Sequence, residues 1–132
     1  MNSLRSVVAV GAGFFTTSVL ALAGDYALRA WMPDAFGPDG SVGDTNVLAI
    51  TLGYTVAFGA VGGYVAARIA QTRPLMHAAI VGAIALALTA VATALMWRTA
   101  PPWYHLTTLA VVLPVALIGG KFREMQASLP AP

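Results

Sequence analysis

The stretch PLMHAAIVGAIALALTAVATALMW, residues 74–97, decides the fold because it runs for 24 residues without a charged side chain. A helix needs about 20 mostly apolar residues to cross roughly 30 Å of hydrocarbon, and it satisfies its backbone hydrogen bonds within the segment. Residues 84–88 are continuously apolar, whereas a transmembrane β-strand alternates apolar and polar side chains. The stretch therefore predicts a transmembrane helix near residues 75–98.

Three further stretches lack charged residues and are also long enough to span a bilayer. They cover residues 6–24, 45–67 and 99–120. With flanking residues they predict helices near 6–31, 45–70 and 103–121. Charged residues make up 9% of the 132-residue chain and hydrophobic residues 58%, while soluble domains carry about 25% charged residues. We therefore predict an all-α membrane protein: one membrane domain over residues 1–132, with four transmembrane helices in an up-down bundle.

The first segment has a second interpretation as a secretory signal peptide. A short basic start precedes an apolar region, and Ala21-Leu22-Ala23 resembles a signal-peptidase site. Apolar character nevertheless continues through Tyr26, Leu28 and Trp31. We therefore expect the segment to be retained as the first transmembrane helix.

The distribution of basic residues predicts the orientation, because connections rich in Lys and Arg stay cytoplasmic. Five basic residues lie at the N-terminus, the second connection and the C-terminus: Arg5, Arg68, Arg73, Lys121 and Arg123. The first connection instead holds Asp34, Asp39 and Asp44. Both termini are then cytoplasmic, and loops 32–44 and 98–102 lie outside. Aromatic residues mark the predicted outer boundary, as is usual at membrane interfaces: Trp31, Trp97, Trp103 and Tyr104.

Charge and cysteine content exclude several classes of function. The net charge of +2 arises from twelve charged side chains with no basic stripe, so nucleic acid is not an expected partner. The chain has no cysteine, which excludes disulfides, thiolate metal sites and cysteine nucleophiles. The expected surroundings are the lipid bilayer and other membrane protein subunits.

Small residues at four-residue spacing predict where the helices pack, because close fit drives association in lipid. The predicted packing residues are Ala9, Gly13, Thr17 and Ala21 on the first helix, Gly59, Gly63 and Ala67 on the second, and Ala79, Ala83 and Ala87 on the third. The Gly59-x-x-x-Gly63 motif is also typical of dimer contacts, so packing within the chain and packing between chains both remain open.

A bulky stripe follows the small one on the third helix. It consists of Ile80, Ile84, Leu88, Val91 and Leu95, and we expect it to face lipid or another protein. The fourth helix is bulky on all sides over residues 111–118 and contains Pro114 near its middle. We therefore expect the fourth helix to be the most peripheral of the four.

Two ionisable residues lie near the outer edge of the first helix. Asp25 follows Ser6 by 19 residues, or about 28 Å along a helix, and Arg29 lies one turn further on. We expect an interfacial ion pair in which Arg29 extends outward to water. The alternative is a carboxylate that binds a cation or proton at the mouth of a pathway.

The two histidines lie near opposite membrane surfaces, His77 at the inner one and His105 at the outer one. Two axial ligands of one haem must share a depth, so these two cannot hold one haem within a single chain. We expect each to be a hydrogen-bonding residue, although either could ligate a pigment or a haem shared with another subunit. No cofactor is predicted, and no clustered ligands suggest zinc.

The second and third helices carry a run that resembles small four-helix proteins of bacterial inner membranes. The matching residues are Gly62 to Ala70, Pro74, His77, Ala78 and Gly82, together with Trp103-Tyr104 and Gly119-Gly120-Lys121. The resemblance implies a multi-pass protein of the bacterial inner membrane. It implies no particular activity.

The leading functional hypothesis is an accessory or structural subunit that packs laterally against a larger membrane complex, rather than an enzyme. Its basis is the bulky stripe of the third helix, the expected exposure of the fourth helix and the lack of a converging catalytic set in the sequence. One alternative is a homo-oligomeric channel or carrier for a small solute, with Gly59 and Gly63 at the subunit contact. Another is a pigment- or haem-binding subunit that uses His77 or His105.

Overall fold

The computed structural model describes residues 3–130, and every regular element in that range is helical. The four α-helices are α1 (Ser3–Trp31), α2 (Thr45–Ala70), α3 (Pro74–Leu95) and α4 (Pro102–Ala127). Short 3₁₀ turns lie at Pro33–Ala35 and Trp97–Thr99. Each α-helix is long and apolar enough to cross a membrane, which confirms the prediction of an all-α chain with four candidate spans.

Three helix ends differ by three residues or more from the predicted ones, and the first is the start of α1, which lies at Ser3 rather than near residue 6. Helix α4 continues past residue 121 to Ala127, and Lys121 Nζ donates to Glu124 Oε1 at 2.6 Å within the added turns. Such an i, i+3 pair between exposed side chains stabilises these turns of the helix. Helix α3 ends earlier than predicted, at Leu95, because the chain then tightens into a 3₁₀ turn in which Thr99 donates to the Met96 carbonyl.

Polar contacts at one end of the bundle define the up-down topology. Arg5 Nε donates to the Ile69 carbonyl at 2.7 Å, so the start of α1 lies beside the end of α2. His77 Nε2 lies 3.1 Å from Ser6 Oγ, which places the start of α3 at the same end. Tyr64, on α2, also reaches Gln126, near the end of α4.

We call this end the basic end, because it carries most of the cations of the chain: Arg5, Arg68, Arg73, Lys121 and Arg123. The opposite end, called the acidic end, carries four of the five carboxylates: Asp25, Asp34, Asp39 and Asp44. A backbone hydrogen bond from Val42 to the Thr99 carbonyl, at 2.7 Å, joins the two connections at the acidic end.

Helix α2 is the centre of the bundle, because its contacts with the other three helices are more extensive than those of α3, which also touches all three. Helix α4 packs against α2 and α3, and α1 packs against α2 and more lightly against α3. Glycines permit the closest contacts. A Cβ atom on Gly13 would lie 2.6 Å from the Gly62 carbonyl oxygen, and a Cβ on Gly63 would overlap the Ala116 carbonyl. The backbones of α1 and α4 therefore lie directly against that of α2.

The prediction that α4 is the most peripheral helix is wrong. Of the four spans, α4 has the largest buried share (28%) and α1 the smallest (11%). The prediction gave most weight to the bulky residues 111–118, but small residues control how closely helices approach. Gly119 and Gly120 are buried, and Cβ atoms there would collide with Ala60 and Ala78. Pro114 is exposed, so it lies on the outer side of the helix.

Candidate functional site

The predicted packing residues of α1 and α2 lie at helix contacts within the chain. Ala9, Gly13, Gly63 and Ala67 are buried, and Thr17, Ala21 and Gly59 are half-buried. Thr17 Oγ1 lies 3.1 Å from the Gly13 carbonyl and 3.4 Å from that of Phe58, so its hydroxyl bridges α1 and α2. A Cβ on Gly59 would lie 3.0 Å from Val115 of α4. The Gly59-x-x-x-Gly63 row is therefore occupied by α4.

The predicted packing role of Ala83 and Ala87 within the chain is wrong, because both residues are exposed, while Ala79 is half-buried. Helix α3 instead buries His77, Ala78, Val81 and Gly82. At 100° per residue the alanine stripe lies on the opposite side of the helix, about 170° from the centre of this buried face. The four-residue spacing correctly grouped the alanines on one face, but it did not show which face meets α4.

Alanines and bulky residues together form one continuous exposed surface, which we call the α3 outer face. It consists of Ile80, Ala83, Ile84, Ala87, Leu88, Ala90, Val91, Ala94 and Leu95. The four buried residues of α3 all lie in its basic half, and exposure along the bulky stripe increases from 39% at Ile80 to 81% at Leu95. The half of α3 nearer the acidic end is therefore the part of the helix that is least covered by the other helices.

His77 is completely buried at the basic end and links α3 to α1. Its Nδ1 lies 3.0 Å from the Arg73 carbonyl, which can only accept, so Nδ1 carries the proton. In the neutral ring Nε2 then accepts from Ser6 Oγ at 3.1 Å. Both ring nitrogens are thus bonded within the chain. A haem or pigment at His77 requires that the Ser6 contact break and the helices separate.

His105 is nearly buried at the acidic end and closes the turn between α3 and α4. Its Nε2 donates to the Trp97 carbonyl at 3.2 Å, and its ring stacks on the Trp97 indole with centroids 5.2 Å apart. Tyr104 meets the same ring edge-on, at 5.9 Å. The ring therefore has a structural contact on its face and on its edge.

Asp25 and Arg29 do not form the predicted ion pair, because each has a different partner. The hydroxyl of Tyr54, on α2, donates to the Asp25 carboxylate. The Arg29 guanidinium lies over the Phe36 ring, 4.5 Å from its centroid, in a cation–π contact with the first connection. Asp25 therefore links α1 to α2, and Arg29 links α1 to the loop that follows.

A polar cluster at the basic end was not predicted from the sequence. Tyr64 Oη donates to Gln126 Oε1 at 2.6 Å and accepts from Arg68 Nη1 at 3.1 Å. Arg123 Nη1 donates to the same Gln126 oxygen at 3.3 Å. Three hydrogen bonds thus connect two guanidinium groups across α2 and α4. Only the i, i+4 spacing of Tyr64 and Arg68 gave a sequence signal, because Gln126 lies 62 residues from Tyr64.

An apolar groove of about 360 Å³ runs between α2 and α4 directly below this cluster. Its walls include Val61 on α2, Ile118 and Phe122 on α4, and the ring of Tyr64. The Tyr64 and Phe122 rings are 5.9 Å apart and tilted by 52°. Tyr64 therefore belongs to both features, with its ring in the groove and its hydroxyl in the cluster.

Comparison of the chain with protein family models, curated proteins and solved structures finds no match. Within residues 3–130, no group of three or more His, Cys, Asp and Glu side chains is arranged to hold a metal ion. The arguments for function therefore come from the α3 outer face and from the cluster and groove between α2 and α4.

Proposed function

We propose that this chain is a multi-pass protein of a bacterial inner membrane whose basic end faces the cytoplasm. Five of its seven Lys and Arg residues lie at that end, and carboxylates dominate the other. Because Lys and Arg in short connections set orientation, this asymmetry favours cytoplasmic termini and external loops at 32–44 and 98–102.

We further propose that the protein is an accessory subunit that packs laterally, through the α3 outer face, against a helix of a larger membrane complex. This is a structural role, not a catalytic one. The observation that carries the proposal is the exposed alanine row of α3, residues 83, 87, 90 and 94. Rows of small residues allow two helix backbones to approach, which lipid chains do not require.

The glycines that pack the other helices are covered by a neighbouring helix, while a second exposed row of small residues lies on α2 at Ala49, Gly53 and Ala57. Gly13 meets α2, and Gly59 and Gly63 meet α4. Gly119 and Gly120 are likewise covered, by α2 and α3. The alanine row of α3 has no such neighbour, and it extends along the poorly supported acidic half of the helix. A companion transmembrane helix would cover that row and support that half.

Site-specific photo-crosslinking in native membranes tests the proposal. A benzophenone amino acid at Ala87 is expected to form one discrete adduct with a companion membrane protein. The same probe at Phe15, which is 69% exposed on α1, is the matched control and is expected to contact lipid only. A second change, Ala83→Phe, should remove the Ala87 adduct and reduce the size of the native complex, because the large ring prevents close helix approach.

Each outcome of the crosslinking experiment has a definite meaning. Lipid adducts alone at Ala87 would overturn the proposal. An adduct between two copies of this chain would replace the accessory role with self-association, as required for a homo-oligomeric channel or carrier. The contact would then lie on α3, since α4 already covers Gly59 and Gly63.

A further inference from the structure

We propose that the cluster and groove between α2 and α4 form a binding site for one anionic phospholipid. The phosphate headgroup would lie between Arg68 and Arg123, and an acyl chain would lie in the groove against Ile118 and Phe122. The inference concerns a different surface from the α3 outer face, so it holds or fails independently of the proposed companion subunit.

The charge at the mouth of the groove is the first argument. No carboxylate in residues 3–130 lies within ion-pair distance of Arg68 or Arg123, and the ion pair seen in that range joins Lys121 to Glu124. Each guanidinium has five N–H donors, of which the hydrogen bonds described above use one. Both groups therefore have free donors and an uncompensated charge, which suits a phosphate.

The arrangement of the two arginines is the second argument. Tyr64 and Gln126 link them by hydrogen bonds across adjacent helices, which restricts the rotation of both arginine side chains. Arg5 and Arg73 lie at the same end but outside this network, and Arg5 bonds the Ile69 carbonyl. Basic pockets between transmembrane helices are a common form of anionic headgroup site.

The position of the groove is the third argument. It is lined by side chains and begins at the ring of the tyrosine that organises the cluster. Ile118 is 62% exposed and Phe122 is 60% exposed, so the groove opens sideways to the hydrocarbon, where an acyl chain can enter. A free phosphate ion would use the cluster but not the groove, and this difference separates a lipid site from a simple anion site.

Native mass spectrometry of the full chain, delipidated in detergent and titrated with lipid, tests the proposal. We expect dioleoyl-phosphatidylglycerol to bind on the order of tenfold more tightly than dioleoyl-phosphatidylcholine, because two guanidinium groups contact the anionic headgroup. The double variant Arg68→Gln/Arg123→Gln should reduce this preference to near unity. The matched control Arg5→Gln/Arg73→Gln removes the same charge from the same end and should keep the preference.

A second pair of variants tests the groove. Val61→Trp, which fills it, should weaken binding of both lipids at least severalfold. Val91→Trp, a similar change on the α3 outer face, should leave the binding of both lipids unchanged. Thermal melting of each variant confirms that it is folded. Arg68→Lys keeps the charge but loses the planar guanidinium, so it should retain part of the preference for phosphatidylglycerol.

Three results would overturn the lipid site. The first is equal binding of the two lipids by the unmodified chain. The second is an equal loss of preference in the Arg5/Arg73 control, which would mean that only the total charge of the basic end matters. The third is displacement of the phosphatidylglycerol by millimolar inorganic phosphate with no effect of Val61→Trp, which would identify an anion site without an acyl groove.

Discussion

At the scale of single residues, the close packing of the helices depends on glycines at the points of contact. Gly119, on α4, lies against the backbone of α2 at Ala60, so even a methyl group has no room there. Gly53, on α2, faces open space, with nothing within 4 Å of a Cβ atom built on it. These two glycines separate the effect of packing from the effect of helix propensity.

We expect Gly119→Ala to lower the free energy of unfolding by about 1–3 kcal/mol, because overpacking forces the backbones of α2 and α4 apart. The control Gly53→Ala should change it by less than about 1 kcal/mol, towards greater stability, because alanine favours a helix over glycine. Unfolding with sodium dodecyl sulfate in mixed micelles, followed by circular dichroism, measures both. Equal losses would contradict the close contact of α2 and α4.

A second prediction at this scale concerns Asp39, in the connection outside the membrane. The Ser41 hydroxyl and backbone N–H bond the Asp39 carboxylate and hold its pKa below the ordinary value of 3.8. The turn is therefore most stable above pH 3.8 and loses this contribution as the pH falls through the lowered pKa. Ser41→Ala should raise the Asp39 pKa towards its ordinary value, as measured by carbon NMR of the carboxyl group.

The unmodified chain is the reference for that titration. If the Asp39 midpoint stayed unchanged in the variant, the Ser41 hydroxyl would not be the main cause of the shift.

At the scale of the helix, a helix end that is set by local capping was easier to predict than the helix face that packs against a neighbouring helix. Asp44, one residue before the predicted start of α2, caps that helix: its carboxylate accepts from the backbone N–H groups of Asn46 and Val47 at 2.8 and 3.4 Å. Capping is local, so neighbouring residues in the sequence are enough to predict it. The face of α3 that meets α4 depends instead on Gly120 and Leu113, far along the chain.

We expect Asp44→Ala to lower the free energy of unfolding by about 1 kcal/mol, because two N–H groups at the start of α2 lose their acceptor. Asp34→Ala removes an equal charge from the same connection and should have a smaller effect. Thermal melting in detergent compares the two variants. If they lost stability equally, charge rather than the cap would account for the change.

At the scale of the whole molecule, the number of candidate spans followed from the sequence, because each uncharged stretch matches the thickness of hydrocarbon. The polar contacts between helices could not be predicted from the sequence. His77 was placed correctly near one end of α3, but its burial depends on Ser6, 71 residues away. The Tyr64 cluster depends on Gln126, which has no notable sequence pattern around it. Long-range pairing of ordinary polar residues leaves little trace in a single sequence.

The topology predicts how the chain is labelled from the two sides of the membrane. Because the chain has no cysteine, single substitutions report without background. A cysteine at Gly43, which is exposed at the acidic end, should react with a membrane-impermeant maleimide added to intact spheroplasts. Cysteines at Gln71 and Ser128, both exposed near the basic end, should react only after the cells are broken. Reaction of the latter two on opposite sides would contradict the up-down bundle.

The central place of α2 has a consequence for how the protein is made. Helix α1 emerges from the ribosome before α2 and can pair with it as soon as α2 is inserted, through Gly13 and Gly62. The other side of α2, with Gly59 and Gly63, stays uncovered until α4 has been synthesised, because α3 is translated in between. A chain that still lacks α4 thus exposes Gly59 and Gly63 to neighbouring proteins in the bilayer. Insertion of α4 covers Gly59 and Gly63, so the exposure of this surface ends when α4 packs against α2.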